Sequence, residues 1–95
     1  MSDLKADEYK GFEQIKQTDK SGNEYWFARE LALVLDYTEW RNFSKVINRA
    51  ILACHNSGFA VNEQFVEANK LIEHGKGGKR KIVDYKLSRY ACYLS

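Results

Sequence analysis

The chain has 95 residues, which suits one domain with a single modest core. Its composition, 44% hydrophobic and 29% charged, is typical of a folded globular domain and excludes an intrinsically disordered segment. No apolar run approaches the roughly 18 residues needed to cross a bilayer, and no signal-peptide core follows Met1, so we expect a cytoplasmic protein. Cys54 and Cys92 are too few for a disulfide framework and are expected to be reduced, partly buried thiols.

The charged residues are distributed unevenly along the chain. The formal net charge is +2, but residues 1–40 sum to −4 and residues 41–95 sum to +6. An asymmetry of this kind favours an anionic partner for the second half of the chain.

The first part of the chain predicts a tail, a hairpin and a helix. Residues 1–10 are polar and are expected to form a flexible tail, with one domain over residues 11–95. Residues 11–16 alternate weakly and are predicted to be a strand, which pairs with residues 25–27 through a turn at residues 19–23. Hydrophobic residues then recur at helical spacing and predict a first helix: Ala28, Leu31, Val34 and Leu35.

The clearest periodic signal lies in residues 39–54, which predict a second helix capped by Thr38 and ended by a left-handed Gly58. Its predicted core face consists of Trp40, Phe43, Ile47, Ala50, Ile51 and Cys54. The opposite face carries Arg41, Lys45 and Arg49, flanked by Asn42 and Asn48. This basic stripe is either the solvated face of an amphipathic helix or a surface for an anionic partner.

Residues 59–73 fit two patterns. Phe65, Ala68, Asn69 and Ile72 have helical spacing, whereas Val66, Ala68, Lys70 and Ile72 lie on one face of a strand. Because a glycine-rich turn follows and residues 80–87 alternate, we predict a second hairpin with residues 68–74 as its first arm. Ser88 is predicted to cap a third helix over residues 89–94. Together these elements predict an α+β fold, with two short β-hairpins packed against two or three α-helices.

The glycine-rich turn of the second hairpin is strongly basic. The bases in and after this turn are Lys76, Lys79, Arg80 and Lys81. Lysine and arginine at such a tip can contact phosphates, although they can equally keep a solvated tip soluble. The segment is not a nucleotide-binding P-loop, because Glu73 and Arg80 stand where that motif needs Gly and Ser or Thr. Arg89, beside Tyr90 and Tyr93, is a further candidate for nucleic-acid binding, although both tyrosines can instead pack on the core.

The sequence shows no pattern for catalysis, for a metal or for a cofactor. Cys54 and His55 are adjacent on a helix and point apart, and neither His74 nor Cys92 has a paired ligand at zinc-like spacing. A cysteine nucleophile needs a base and a group that orients this base, and the sequence indicates neither for Cys54 or Cys92. We therefore expect a non-enzymatic protein without a metal or cofactor.

Two stretches resemble a known family. The run EYWFARELALVLDYTEWRNFSKVI and the later run KRKIVDYKLSRYACYL are similar to the N-terminal domain of the DNA-damage-inducible protein D family, which belongs with the BRO-type N-terminal domains of viral proteins and phage antirepressors. The two runs occur in the same order as in the family, and together they span about residues 11–94. The resemblance implies a DNA-binding domain of the DNA-damage response and a fragment of a longer protein.

Two functions are consistent with these observations. The first is a nucleic-acid-binding regulatory module that uses the basic tip and the basic helix face, with DNA as the expected nucleic acid. The second is a protein-interaction module that acts on a DNA-bound repair or repressor protein, or a self-association domain. The resemblance implies both, because phage antirepressors act by binding other proteins.

Overall fold

The computed structural model describes residues 6–95. Its helices are α1 (Ala6–Gln14), α2 (Ala28–Val34), α3 (Trp40–Asn56), α4 (Val61–Gln64) and α5 (Arg89–Leu94). Its strands are β1 (Gln17–Thr18), β2 (Glu24–Phe27), β3 (Phe65–Glu67), β4 (Lys70–His74), β5 (Gly78–Ile82) and β6 (Tyr85–Leu87). The predicted α+β class is confirmed.

A four-stranded antiparallel sheet, in the order β1-β2-β6-β3, covers one side of the core. Leu87 on the inner strand β6 faces Trp26 on one side and Phe65 on the other, and all three side chains are buried. Trp26 stacks on Phe12 of α1 with 4.4 Å between ring centroids, and its Nε1 donates to the Phe12 carbonyl at 2.8 Å. These contacts hold α1 against the sheet.

Helix α3 supplies the other half of the core, as its periodicity predicts. Phe43, Ile47, Ala50 and Cys54 are buried, while Trp40 and Ile51 pack partly buried against them. Cys54 and Cys92 are both free and buried. The predicted helix ends are mostly confirmed: Gly58 has φ +82°, and Ser88 Oγ accepts from the Ala91 amide at 3.0 Å.

The predicted cap of α3 is wrong by one residue. The N-cap is Glu39, whose side chain makes no cap hydrogen bond. Asp36 lies in the turn after α2 with φ +64°, and Thr38 lies in the connection that follows, before the start of α3.

The predicted first strand over residues 11–16 is also wrong, because residues 6–14 form helix α1 and the strand is displaced to Gln17–Thr18. Burial of Phe12 against Trp26 favours the helix over the weak alternation. The hairpin turn itself is as predicted, since Asp19 Oδ1 accepts from the amides of Ser21 and Asn23. Residues 6–10 of the predicted tail are helical, and residues 1–5 lie outside the described residues.

The second predicted hairpin is present but longer and divided. Phe65 faces Leu87 in the main sheet, and Lys70 faces Ile82 beyond it, so the same register continues through both halves. We call residues 65–87 the ribbon and residues 70–82 its distal arm. The predicted second arm, residues 80–87, breaks at Val83 and Asp84, where the ribbon leaves the main sheet.

Asp84 fixes the direction in which the distal arm leaves the domain. Its carboxylate is fully buried, and Oδ1 accepts from the amides of Arg29 at 3.1 Å and Tyr85 at 2.8 Å. Phe27, the N-cap residue of α2, has no side-chain hydrogen bond to offer, so Asp84 serves that helix as its cap from across the fold. Oδ2 lies 3.4 Å from Lys70 Nζ, an ion pair without hydrogen-bond geometry.

Arg89 joins the last helix, α5, to α1 and to β2. Its guanidinium contacts Glu24 at 3.1 Å and Glu13 at 3.3 Å, and it lies 5.1 Å from the centroid of the Trp26 ring. Lys16 Nζ lies 3.1 Å from the same Glu24 carboxylate. The hydrogen bond from Lys16, followed by that from Arg89, holds the pKa of Glu24 below its usual value of 4.5.

Replacing Asp84 tests its role as a distant helix cap. We expect Asp84→Ala to lower the free energy of unfolding by about 2–4 kcal/mol, because two backbone amides lose their acceptor in a buried place. Asp84→Asn retains an acceptor oxygen and should lose less than half as much. Urea denaturation followed by circular dichroism measures both, and equal losses would show that the charge facing Lys70 matters rather than the cap.

The interactions of Glu24 with Lys16 and Arg89 predict that the stability of the fold decreases in acid. Because the folded pKa of Glu24 is below the unfolded value, its contribution is complete above about pH 4.5 and is lost as the pH falls through the folded pKa. Wild type should therefore be more stable than Glu24→Gln at about pH 6, and the difference should vanish at about pH 2. Urea denaturation at the two pH values measures this, with Glu39→Gln as the exposed control. A difference that persists unchanged at low pH contradicts the assignment.

Candidate nucleic-acid interface

The distal arm is a two-stranded antiparallel ribbon that is exposed on both faces. Apart from the pairing of its two strands, the arm is attached to the domain at its base by Lys70. The Lys70 ammonium makes an ion pair with Asp84 and lies 4.3 Å from the centroid of the Phe27 ring. Leu71 is 68% exposed and Ile72 is 43% exposed, although both side chains are nonpolar. Side chains in this position are not part of the core, so the arm projects from the domain.

The turn at the end of the arm requires glycine. Gly75 and Gly77 have φ +68° and +72°, a backbone region that other residues rarely adopt. Lys76 lies between them and is exposed. The result is a narrow tip whose middle residue carries a positive charge.

The cations of strand β5 alternate between the two faces of the arm. Lys79 faces Glu73 and Lys81 faces Leu71, so these two lysines share one face. Arg80 faces Ile72 on the opposite face. All three cations are exposed, and within the described part of the chain neither they nor Lys76 take part in an ion pair. The positive charge of the arm is therefore free on both faces.

The basic stripe of α3 is exposed as predicted. Arg41, Lys45 and Arg49 all lie on the solvent side, together with Asn42 and Asn48. Arg41 makes an ion pair with Glu39 at 3.1 Å, but both side chains are more than half exposed, so the pair is weak. Arg41 can therefore exchange Glu39 for another anion at little cost.

Arg29 connects the two basic elements. Its guanidinium lies 4.4 Å from the centroid of the Trp40 ring in the first turn of α3, and its Nε donates to the Val83 carbonyl at 2.7 Å. The base of the distal arm and the start of α3 are thus neighbours. Arg41 lies at this near end, and Arg49 is about 12 Å further along the helix axis.

Arg89 differs from the other predicted binding residues. Its guanidinium is occupied by Glu13, Glu24 and the hydroxyl of Tyr93. The hydrogen bond to Tyr93, followed by that to Glu24, raises the pKa of Arg89. Tyr93 thus accompanies Arg89 in a structural cluster, while Tyr90 contacts Phe59 with 4.6 Å between ring centroids. The structure gives Arg89 a role in joining α5 to the sheet rather than a free surface position.

The sequence did not single out Arg29, Lys70 or Asp84. Lys70 and Asp84 were visible as charged residues in an alternating run, but their roles depend on Phe27 and on the start of α2, which are distant in sequence. Arg29 reads as an ordinary polar residue of a short helix. Only the packing of these residues shows that they set the direction of the arm.

Other kinds of site have little support in residues 6–95. No group of three or more His, Cys, Asp or Glu side chains there is arranged to hold a metal ion. Burial raises the pKa of the Cys92 thiol, which keeps it protonated. No helix in the described part is long and apolar enough to cross a membrane.

Comparison with known proteins gives two matches. The family model described as "BRO family, N-terminal domain" matches residues 14–94. The chain is 45% identical over 83 residues to DNA damage-inducible protein D of Escherichia coli strain K12. The match covers 87% of this chain and 30% of the E. coli protein. No solved structure matches the chain. With a match over almost the whole described fold, the chain belongs to the BRO family of N-terminal domains.

Proposed function

We propose that this chain is a non-enzymatic regulatory module of the cytoplasm that binds DNA through the distal arm and the exposed face of α3, without a cofactor. The observation that carries the proposal is the set of exposed, unpaired cations on the arm. An unpaired cation in solvent contributes fully to attraction of a polyanion, whereas a cation already matched by a carboxylate contributes little.

The cations of the arm supply affinity rather than sequence recognition. Lysine and arginine contacts to phosphates release condensed counterions, and this term is independent of sequence. Lys76 at the tip and the three cations of β5 are arranged for such contacts. Arg89 is not part of the proposed interface, because Glu13 and Glu24 neutralise it.

Helix α3 offers groups that can read bases. Asn42 and Asn48 carry side-chain amides, the group that pairs with the adenine edge, and Arg41 carries the guanidinium that pairs with guanine. Helix α3 follows α2 directly, which is the position of the recognition helix in helix-turn-helix proteins. Lys45 and Arg49 would contact phosphates beside the groove.

The family and the relative support a regulatory role for the domain. The name of the E. coli protein links it to induction by DNA damage. The chain matches less than a third of that protein, so the regulatory role proposed here concerns the domain alone. We infer that the domain contributes DNA attachment to a protein of the DNA-damage response.

Removing cations from the arm should reduce the salt dependence of DNA binding. For the double variant Lys79→Ala/Lys81→Ala, the slope of log K against log salt concentration should fall by roughly 2, because each lost phosphate contact removes about 0.9. Fluorescence anisotropy with a short labelled duplex over a range of salt concentrations measures this slope.

The matched control is Lys10→Ala/Lys20→Ala, which removes the same net charge from exposed positions on α1 and on the β1–β2 turn. This control should leave the slope within error of wild type. If both double variants lower the slope equally, binding depends on net charge and the arm has no special role. If wild type binds no nucleic acid at low salt, the proposed function is wrong.

A second candidate function, protein interaction, is favoured by a groove on another part of the domain. The groove has a volume of about 600 Å³ and is lined largely by apolar side chains, among them Ile51, Phe59, Val61 and Tyr85. Phe59 at its rim is 51% exposed. An aromatic side chain exposed beside an apolar groove is typical of a protein-binding or self-association surface.

Sedimentation velocity tests the self-association form of this candidate. If the groove mediates dimers, wild type should sediment as a concentration-dependent dimer and Phe59→Asp as a monomer. Phe59→Asp should leave the salt slope for DNA unchanged, which separates the two functions. A wild-type monomer at all concentrations contradicts self-association.

A further inference from the structure

We infer that the distal arm enters the major groove of B-form duplex DNA, with phosphates of both groove walls contacting opposite faces of the arm. This inference rests on the proposed function and makes it specific for the form of nucleic acid and for the groove. The argument depends on three features of the arm: the distribution of its cations, its dimensions and its side-chain composition.

The distribution of cations indicates a partner that surrounds the arm. Lys79 and Lys81 lie on one face of the arm and Arg80 lies on the other, because successive side chains of a strand point to opposite faces. A flat anionic surface would meet one of these faces and leave the other in solvent. A groove with an anionic wall on each side meets both, which is the geometry of a nucleic-acid duplex.

The dimensions of the arm fit the major groove. Two paired strands lie about 4.8 Å apart, with side chains standing on both faces. The major groove of B-DNA is about 12 Å wide and admits a two-stranded ribbon, whereas the minor groove is about 6 Å wide. At about 3.4 Å per residue, the five residues of each strand extend about 17 Å, which exceeds the depth of the groove, about 8.5 Å.

The side chains of the arm favour a DNA duplex over other nucleic acids. Residues 68–84 contain no Phe, Tyr or Trp, so the arm lacks the large aromatic side chains on which the bases of single strands stack. Leu71 and Ile72 are exposed on opposite faces, and thymine methyl groups, which project into the major groove, are their natural partners. Duplex RNA presents a major groove too narrow and deep for side chains to read.

Modified duplexes test the groove without changing the protein. A duplex whose pyrimidines carry a bulky group at C5 has an obstructed major groove, and one with a bulky group on guanine N2 has an obstructed minor groove. We expect the C5-modified duplex to bind at least about tenfold more weakly than the unmodified duplex, and the N2-modified duplex to bind unchanged. The reverse result would assign the arm to the minor groove and overturn the inference.

Variants on the two faces test whether both are engaged. Arg80→Ala should lower the salt slope by roughly 1 and Lys79→Ala/Lys81→Ala by roughly 2, since each face contacts its own wall. An unchanged slope for either variant would mean that only one face binds, as on a flat surface. Equal or tighter binding of the same sequence as single-stranded DNA or duplex RNA would also overturn the inference while leaving nucleic-acid binding in place. Absence of all binding would remove the proposed function itself.

Discussion

The hydrogen bonds of the buried Asp84 carboxylate determine how this domain presents its basic surface. A buried carboxylate is unfavourable unless its oxygens are matched, and here one oxygen accepts from two backbone amides. The Arg29 amide lies in the first turn of α2, and the Tyr85 amide begins β6. A single side chain therefore joins α2 to the strand that follows the arm. Because Lys70 faces the second oxygen, the first residue of the arm is tied to the same point. These contacts hold the base of the cationic arm in place against the core.

Sequence periodicity predicted the parts of the fold that carry a strong local signal. The core face of α3 repeats over four turns, Ser88 has the hydroxyl that caps a helix start, and Gly58 lacks the Cβ that disfavours a left-handed helix end, so these elements could be placed from the sequence. Residues 11–16 carried only a short alternation, and there the packing of Phe12 on Trp26 decided in favour of a helix. The division of the second hairpin at Asp84 could not be predicted, because it depends on the start of a helix 55 residues away in sequence.

For the candidate site too, the sequence predicted only part of what the structure shows, in this case of the distribution of charge. The sequence located the cationic tip, because glycines and bases are adjacent there and the loop must be exposed. It could not show which bases are matched by carboxylates. Arg89 belongs to the basic second half of the chain, yet Glu13 and Glu24 of the acidic first half neutralise it. The charge asymmetry along the sequence is therefore partly cancelled in the fold, and the charge that remains free is concentrated on the arm.

The arrangement of the arm and α3 suggests that the two elements have different roles in binding one polyanion. Arg29 holds the base of the arm beside the first turn of α3, the turn that carries Arg41. The cations of the arm are exposed lysine and arginine side chains, and attraction between such cations and a polyanion is fast and independent of sequence. Groups on α3 are held by a rigid, well-packed helix, and rigid placement is what base recognition requires. Attachment by the arm would thus precede recognition by the helix, and the fixed angle set by Asp84 would determine which bases α3 can reach.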